Sequence, residues 1–170
     1  MRKELYVFIT PKYKKDTMRL HTMISHSLNK YDIKSRFNMY LEDVVGNIFN
    51  TKKKTTKKWE IDYHLRTLAK NKRDAIRSDY DRQREDEIQE LQSIKDFKGA
   101  FLIMIPHGRG TGWLGMLGYI LGLGKKVVVA GDLHKLRNQT LLYSHPNILK
   151  VEDVEVFIKR YSKGDYDVAI

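Results

Sequence analysis

Residues 101 to 131, FLIMIPHGRGTGWLGMLGYILGLGKKVVVAG, constrain the fold more than any other part of the chain. The stretch opens with an apolar run of strand length, Phe101-Leu102-Ile103-Met104-Ile105, and closes with a second, Val127 to Ala130. Between them a proline and a glycine-rich turn, Pro106-His107-Gly108-Arg109-Gly110-Thr111-Gly112, lead into apolar residues at helical spacing: Trp113, Leu117, Ile120 and Leu121. Gly122-Leu123-Gly124-Lys125 stops that helix. Two unbroken apolar strands joined by one helix imply a parallel sheet covered on both faces, because a strand with one wet face would alternate. In such sheets ligands sit beyond the carboxyl ends of the strands, here at the glycine turn.

The same alternation extends through the chain. Leu5 to Thr10 reads as a buried strand ended by Pro11. Asp16 and Thr17 can cap a helix reaching about Lys30, with Met18, Leu20, Met23, Ile24 and Leu28 as its apolar positions. A second strand is expected over Phe37 to Leu41. Residues 46 to 58, GNIFNTKKKTTKK, read as an exposed loop or insertion with solvated lysines, and 59 to 94 as one or two polar, outward-lying helices. Asp132 to Tyr143 is mixed, a short helix or a loop. Ile148 to Val151 forms a last strand. Glu152 to Tyr161 closes with a helix whose apolar face is Val154, Phe157, Ile158 and Tyr161, and residues 162 to 170 show no pattern. The fold expected is α/β: a three-layer sandwich with about five parallel strands, flavodoxin-like, carrying a basic helical insertion at about 46–80.

A chain of 170 residues suits one domain with a proper core. With no cysteine, disulfides, thiolate catalysis and cysteine-ligated metals are excluded. No apolar run approaches the roughly 20 residues that span a bilayer, and MRKELYVFIT lacks a signal peptide's apolar core. The expectation is a soluble cytoplasmic protein with no membrane partner. About half of the net charge of +11 sits in one segment, where 12 Lys and Arg stand against 6 Asp and Glu between Lys52 and Glu85, and the rest is spread. That segment is either a solvated surface or a nucleic-acid-binding face.

The glycine turn has the best-defined chemistry. Backbone amides at a helix N-terminus attract anions, and glycines let a phosphate approach the main chain. Arg109 and Thr111 add a guanidinium and a hydroxyl suited to phosphate. The alternative is a tight turn with no ligand. No Walker lysine follows. His107, His134 and His145 lack metal-ligand spacing, so no metal and no cofactor are expected. Glu85, Asp86, Glu87 and Glu90 lie on a polar helix, where surface charge is the default.

Gly112 to Tyr119, with Leu121, Gly124 and Lys125 following, resembles the GxxMELGYAxxxGK signature of nucleoside 2-deoxyribosyltransferases and related nucleotide N-glycosidases. Glu90-Leu91-Gln92-Ser93-Ile94-Lys95 resembles the family's acidic-then-apolar segment ahead of the central strand. Asn138 and Asn147 keep the spacing of two asparagines after it. The likeness covers about 85 to 160 well, the first 30 residues loosely and 45 to 80 hardly at all. It implies a flavodoxin-like fold and a pocket for a deoxynucleoside or its 5′-phosphate. It also implies attack on the anomeric carbon by a glutamate, which traps an oxocarbenium-like centre before water or a second base resolves it.

The chain departs from that pattern where the nucleophile belongs. Met116 stands at the glutamate position, Gly110 at the aspartate heading the loop, and Lys98 at the one before the central strand. Glu90 alone keeps an acid, as the candidate catalytic group. Tyr6, Arg109, Gly110, Thr111, Gly112, Met116 and Asn138 are the expected substrate-binding set. Arg109, Thr111 and Lys98 are expected to make the pocket more cationic. In the family, an asparagine at the position of Asn138 reaches a neighbouring subunit, so a homo-oligomer is expected.

Three readings follow. The chain cleaves or exchanges an N-glycosidic bond with a displaced acid, binds a nucleotide or nucleotide-like signal without cleaving it, or binds nucleic acid through its basic segment.

Overall fold

The computed structural model describes residues 3–9, 14–38, 85, 87–105 and 112–165. In chain order they form β1 (Glu4–Ile9), α1 (Lys14–Lys30), β2 (Lys34–Phe37), α2 (helical through 87–96) and β3 (Ala100–Ile105). There follow α3 (Gly112–Gly122), β4 (Val127–Gly131), α4 (Leu133–Gln139), a 3-10 turn (Leu141–Ser144), β5 (Ile148–Val151) and α5 (Val154–Lys163).

The five strands make one parallel sheet in the order β2-β1-β3-β4-β5. This is the flavodoxin-like doubly wound arrangement, with helices on both faces. The apolar strands are buried on both sides: every residue of β3 is buried, as are Val127 to Ala130 of β4. Alternate residues feed two different cores. Leu5, Val7, Ala100, Leu102 and Val128 pack with Ile24 and Leu28 of α1 and with Phe157 and Ile158 of α5. Tyr6, Phe8, Phe101, Ile103 and Val129 pack with Ile94 of α2, Trp113, Leu117 and Ile120 of α3, and Leu136 of α4.

The elements differ from expectation in definite places. The second strand is Lys34–Phe37, not Phe37 to Leu41; Asn38 has left the strand, and residues 39–41 lie outside those described. As an edge strand it needs no continuous apolar run. Lys34 and Arg36 are exposed and Phe37 is buried, so its sequence looks polar. Helix α1 begins at Lys14, before the expected cap, and Met23 is exposed on it. The mixed segment is helical in two pieces, with Asp132 accepting a hydrogen bond from the Lys135 amide at the start of the first. Helix α5 continues past Tyr161 to Lys163, and Gly164, at φ 82°, closes it in the left-handed conformation. The basic insertion expected at 46–80 lies outside the described residues.

From β1 the chain crosses one way to β2 and later returns on the other side to β3. The carboxyl ends of β1 and β3 therefore flank the topological switch point, where a crevice opens in sheets of this kind. Gly131 ends β4 beside it with φ 107°, and a Cβ there would run into the Ile105 carbonyl.

Candidate functional site

Tyr6 points from β1 into the core under α2 and α3 and is wholly buried. Its ring stacks on Phe8 at 4.7 Å and meets Phe97 edge-on at 5.2 Å. Its hydroxyl donates to Oε1 of Glu90 at 2.7 Å. Glu90 is 8% exposed and is the one buried carboxylate among the described residues. The surface-charge default therefore holds for Glu85 and Glu87, which are exposed, and is corrected for Glu90. Helical geometry gives the reason. Glu90, Ile94 and Phe97 recur at i, i+4 and i+7, so they share the side of α2 that faces the sheet.

Helix α3 supplies the neighbouring wall. Tyr119 donates its hydroxyl to the Leu91 carbonyl at 3.3 Å, tying α3 to α2. Met116 lies one turn nearer the start of α3, on the same side as Tyr119. It is half-buried and packs against the aromatic core. Gly112 is exposed at the first position of α3. Arg109, Gly110 and Thr111 lie outside the described residues, as does His107.

The remaining sequence candidates are elsewhere. Asn138 is exposed on α4, its amide nitrogen 2.8 Å from Nε2 of His134. His145 accepts the Asn147 amide on Nδ1 at 3.1 Å, and the Asn147 side chain donates to the Gly124 carbonyl. These are local loop contacts. Among the described residues no group of three His, Asp or Glu is placed to hold a metal. Lys98 precedes β3, whereas the glycine turn follows it, so the six residues of β3 separate the two. At roughly 3.3 Å per residue that is about 20 Å. Lys98 thus stands at the amino end of β3, and residues 106–111 of the turn lie outside those described.

Arg36 has no counterpart among the sequence candidates. It pairs in register with Tyr6 on the adjacent strand, its guanidinium lies 5.2 Å from the Tyr6 ring centre, and Nη2 donates to Oγ of Ser93 at 2.9 Å. Ser93 and Glu90 are one helical turn apart, so two polar contacts fasten α2 to the sheet, Arg36–Ser93 at the edge and Tyr6–Glu90 inside. The misplaced second strand concealed the first of them.

Comparison with family models finds no match, and comparisons with curated proteins and with solved structures find none either. Among the described residues no helix is long and apolar enough to cross a membrane.

Proposed function

We propose that this chain is a nucleoside 2-deoxyribosyltransferase-like protein. It binds a deoxynucleoside or its 5′-phosphate in the crevice over β1 and β3, with Glu90 as the acid of the site and Tyr6 as the residue that orients it. The observation carrying this reading is the buried Tyr6–Glu90 hydrogen bond. An isolated carboxylate is costly to remove from water, and a pair of apolar side chains would fill the same space without that cost. An acid kept in such a place, on a doubly wound sheet, is a candidate for chemistry.

Cleavage of an N-glycosidic bond requires a group that meets positive charge at C1′ and a proton for the departing base. The Met116 thioether can do neither. A cleaving enzyme built on these residues would use Glu90 for one of the two tasks, with its carboxylate oriented by the Tyr6 hydroxyl. Binding without cleavage is the second reading, and what favours it is Met116 itself, packed against apolar neighbours where the resemblance implies a carboxylate. The homo-oligomer belongs to the same proposal: Asn138 is exposed on α4 and available to a second copy.

The test incubates the protein with each deoxynucleoside and each 5′-monophosphate and measures free base. Release above a protein-free blank that is lost in Glu90→Gln supports the enzyme. Saturable binding without release, with release appearing in Met116→Glu, supports the silent binder. If no deoxynucleoside or monophosphate binds, the proposal fails in both forms.

A further inference from the structure

A second place on the molecule has the chemistry of a binding site, between the edge strand β2, the start of β1 and the end of α2. A groove of about 370 Å³ is lined by Glu4, Arg36, Ser93, Asp96, Phe97 and Lys98, with Gln92 on its rim. That volume is within the range of small-molecule pockets. Three elements build it: the first residue of β1, the exposed edge of β2, and the last turn of α2 with the loop into β3.

Four of its side chains are charged, two of each sign, and Lys34, paired with Glu4, brings a third cation to its edge. Glu4 is already paired with Lys34 at 2.8 Å, and Asp96 accepts from the Gln92 amide at 2.8 Å. Arg36 and Lys98 are both exposed, and neither is paired with a carboxylate among the described residues. Arg36 has used one donor on Ser93 and has others to offer. Behind the groove Lys125 is buried, its ammonium donating to the Phe97 carbonyl at 2.7 Å and sharing its field with Lys98 and Asp96. The groove therefore presents a guanidinium, an ammonium and a hydroxyl to solvent, beside Glu4, which is ion-paired with Lys34, and Asp96, which is hydrogen-bonded to a neutral amide.

We infer that this groove is a binding site for a phosphorylated small molecule, its phosphate held between Arg36 and Lys98 with the Ser93 hydroxyl as a further partner. A planar guanidinium with parallel N–H donors matches phosphate oxygens, and a nearby ammonium adds charge without demanding geometry. The groove adjoins the Tyr6–Glu90 pair, with Arg36 5.2 Å from the Tyr6 ring and Ser93 one turn from Glu90, but its phosphate ligands are different side chains. It uses none of the residues assigned to the crevice, and it stands whether or not that assignment does.

The test titrates the full chain with inorganic phosphate, adenosine 5′-monophosphate and, as an uncharged control, adenosine, following the backbone amides of Ser93, Asp96 and Lys98 by NMR. The expected result is saturable shifts at these amides with the two phosphates and none with adenosine. Lys98→Gln, which alters an exposed side chain, weakens binding about tenfold, the usual size of one charge-assisted contact. Arg36→Gln with Lys98→Gln abolishes it. Should the double variant fold poorly, Lys98→Glu alone reverses one charge and is expected to remove binding. Shifts that survive the double change or Lys98→Glu, equal shifts with adenosine, or no saturation with either phosphate would overturn the inference.

Discussion

At the scale of single residues, Tyr6 and Glu90 show why a polar pair inside an aromatic core is sensitive to change. The Tyr6 hydroxyl is held within a cluster of rings, and Glu90 is where its hydrogen bond ends. Removing only the donor takes one hydrogen bond from a buried carboxylate, which costs more than the bond itself was worth. Tyr6→Phe is therefore expected to lower stability by about 1–3 kcal/mol, read from urea denaturation at unchanged slope. No loss of stability would mean that Glu90 is not held through this hydroxyl. Gly131 is a second sensitive residue, for a backbone reason. It combines φ 107° with close approach to the Ile105 carbonyl, so a side chain meets both strain and collision. Gly131→Ala is expected to cost at least about 1–3 kcal/mol. The same denaturation experiment checks it, and a neutral result would show that β4 can end in another way.

At the scale of elements, α5 is specified at both ends. Asp153 accepts the amides of Glu155 at 2.9 Å and Val156 at 3.1 Å, and the Gly164 amide returns to the carbonyls of Arg160 and Tyr161. Asp153→Ala is expected to cost about 1 kcal/mol, and Asp153→Asn or Asp153→Ser much less, in thermal unfolding. A loss as large for Asn as for Ala would point to charge rather than capping. Such elements were legible in the sequence because their pattern is redundant. Val154, Phe157, Ile158 and Tyr161 mark one face of α5, and all four are buried. The runs of β3 and β4 could belong only to covered strands. The strand β2 was misplaced because an edge strand buries few side chains, and its Lys-Ser-Arg-Phe sequence carries little apolar signal. Arg36 was missed with it. For Glu90 the composition of its neighbours gives surface charge as the default and the resemblance makes it the candidate acid, while its spacing to Ile94 and Phe97 puts it on the inner face. Composition averages over a helix; burial is decided position by position.

At the scale of the whole molecule, two titrating groups sit at joints between layers and set opposite limits on stability. His21 of α1 packs against Phe37 of the edge strand at 4.3 Å, and burial holds its imidazole below its ordinary value. In the unfolded chain that histidine takes up a proton near its ordinary value of 6.5, earlier than it can in the folded state. The unfolded state then binds more protons, so this group makes stability fall as pH drops through that value, until the folded form is protonated too. Tyr161 is the reverse case. Its hydroxyl donates to the Glu4 carbonyl at 3.0 Å, joining α5 to the start of β1, and burial raises its pKa, with the Glu4 charge adding a smaller push in the same direction. Its contribution is complete below the unfolded value of 10.0 and is lost as pH rises through the higher folded value. Lys125, lowered chiefly by burial and then by Lys98, acts against Tyr161 in the alkaline range, because its unfolded form keeps a proton the folded form releases. The alkaline fall should therefore be shallower in the parent protein than in Lys125→Met, and shallower still in Tyr161→Phe. On the acid side, His21→Phe should remove the part of the decline that begins near pH 6.5 while leaving the carboxylate-driven loss at lower pH. Chemical denaturation at a series of pH values measures each slope. An acid limb that is identical in His21→Phe would show that the α1–β2 joint does not sense the imidazole's charge.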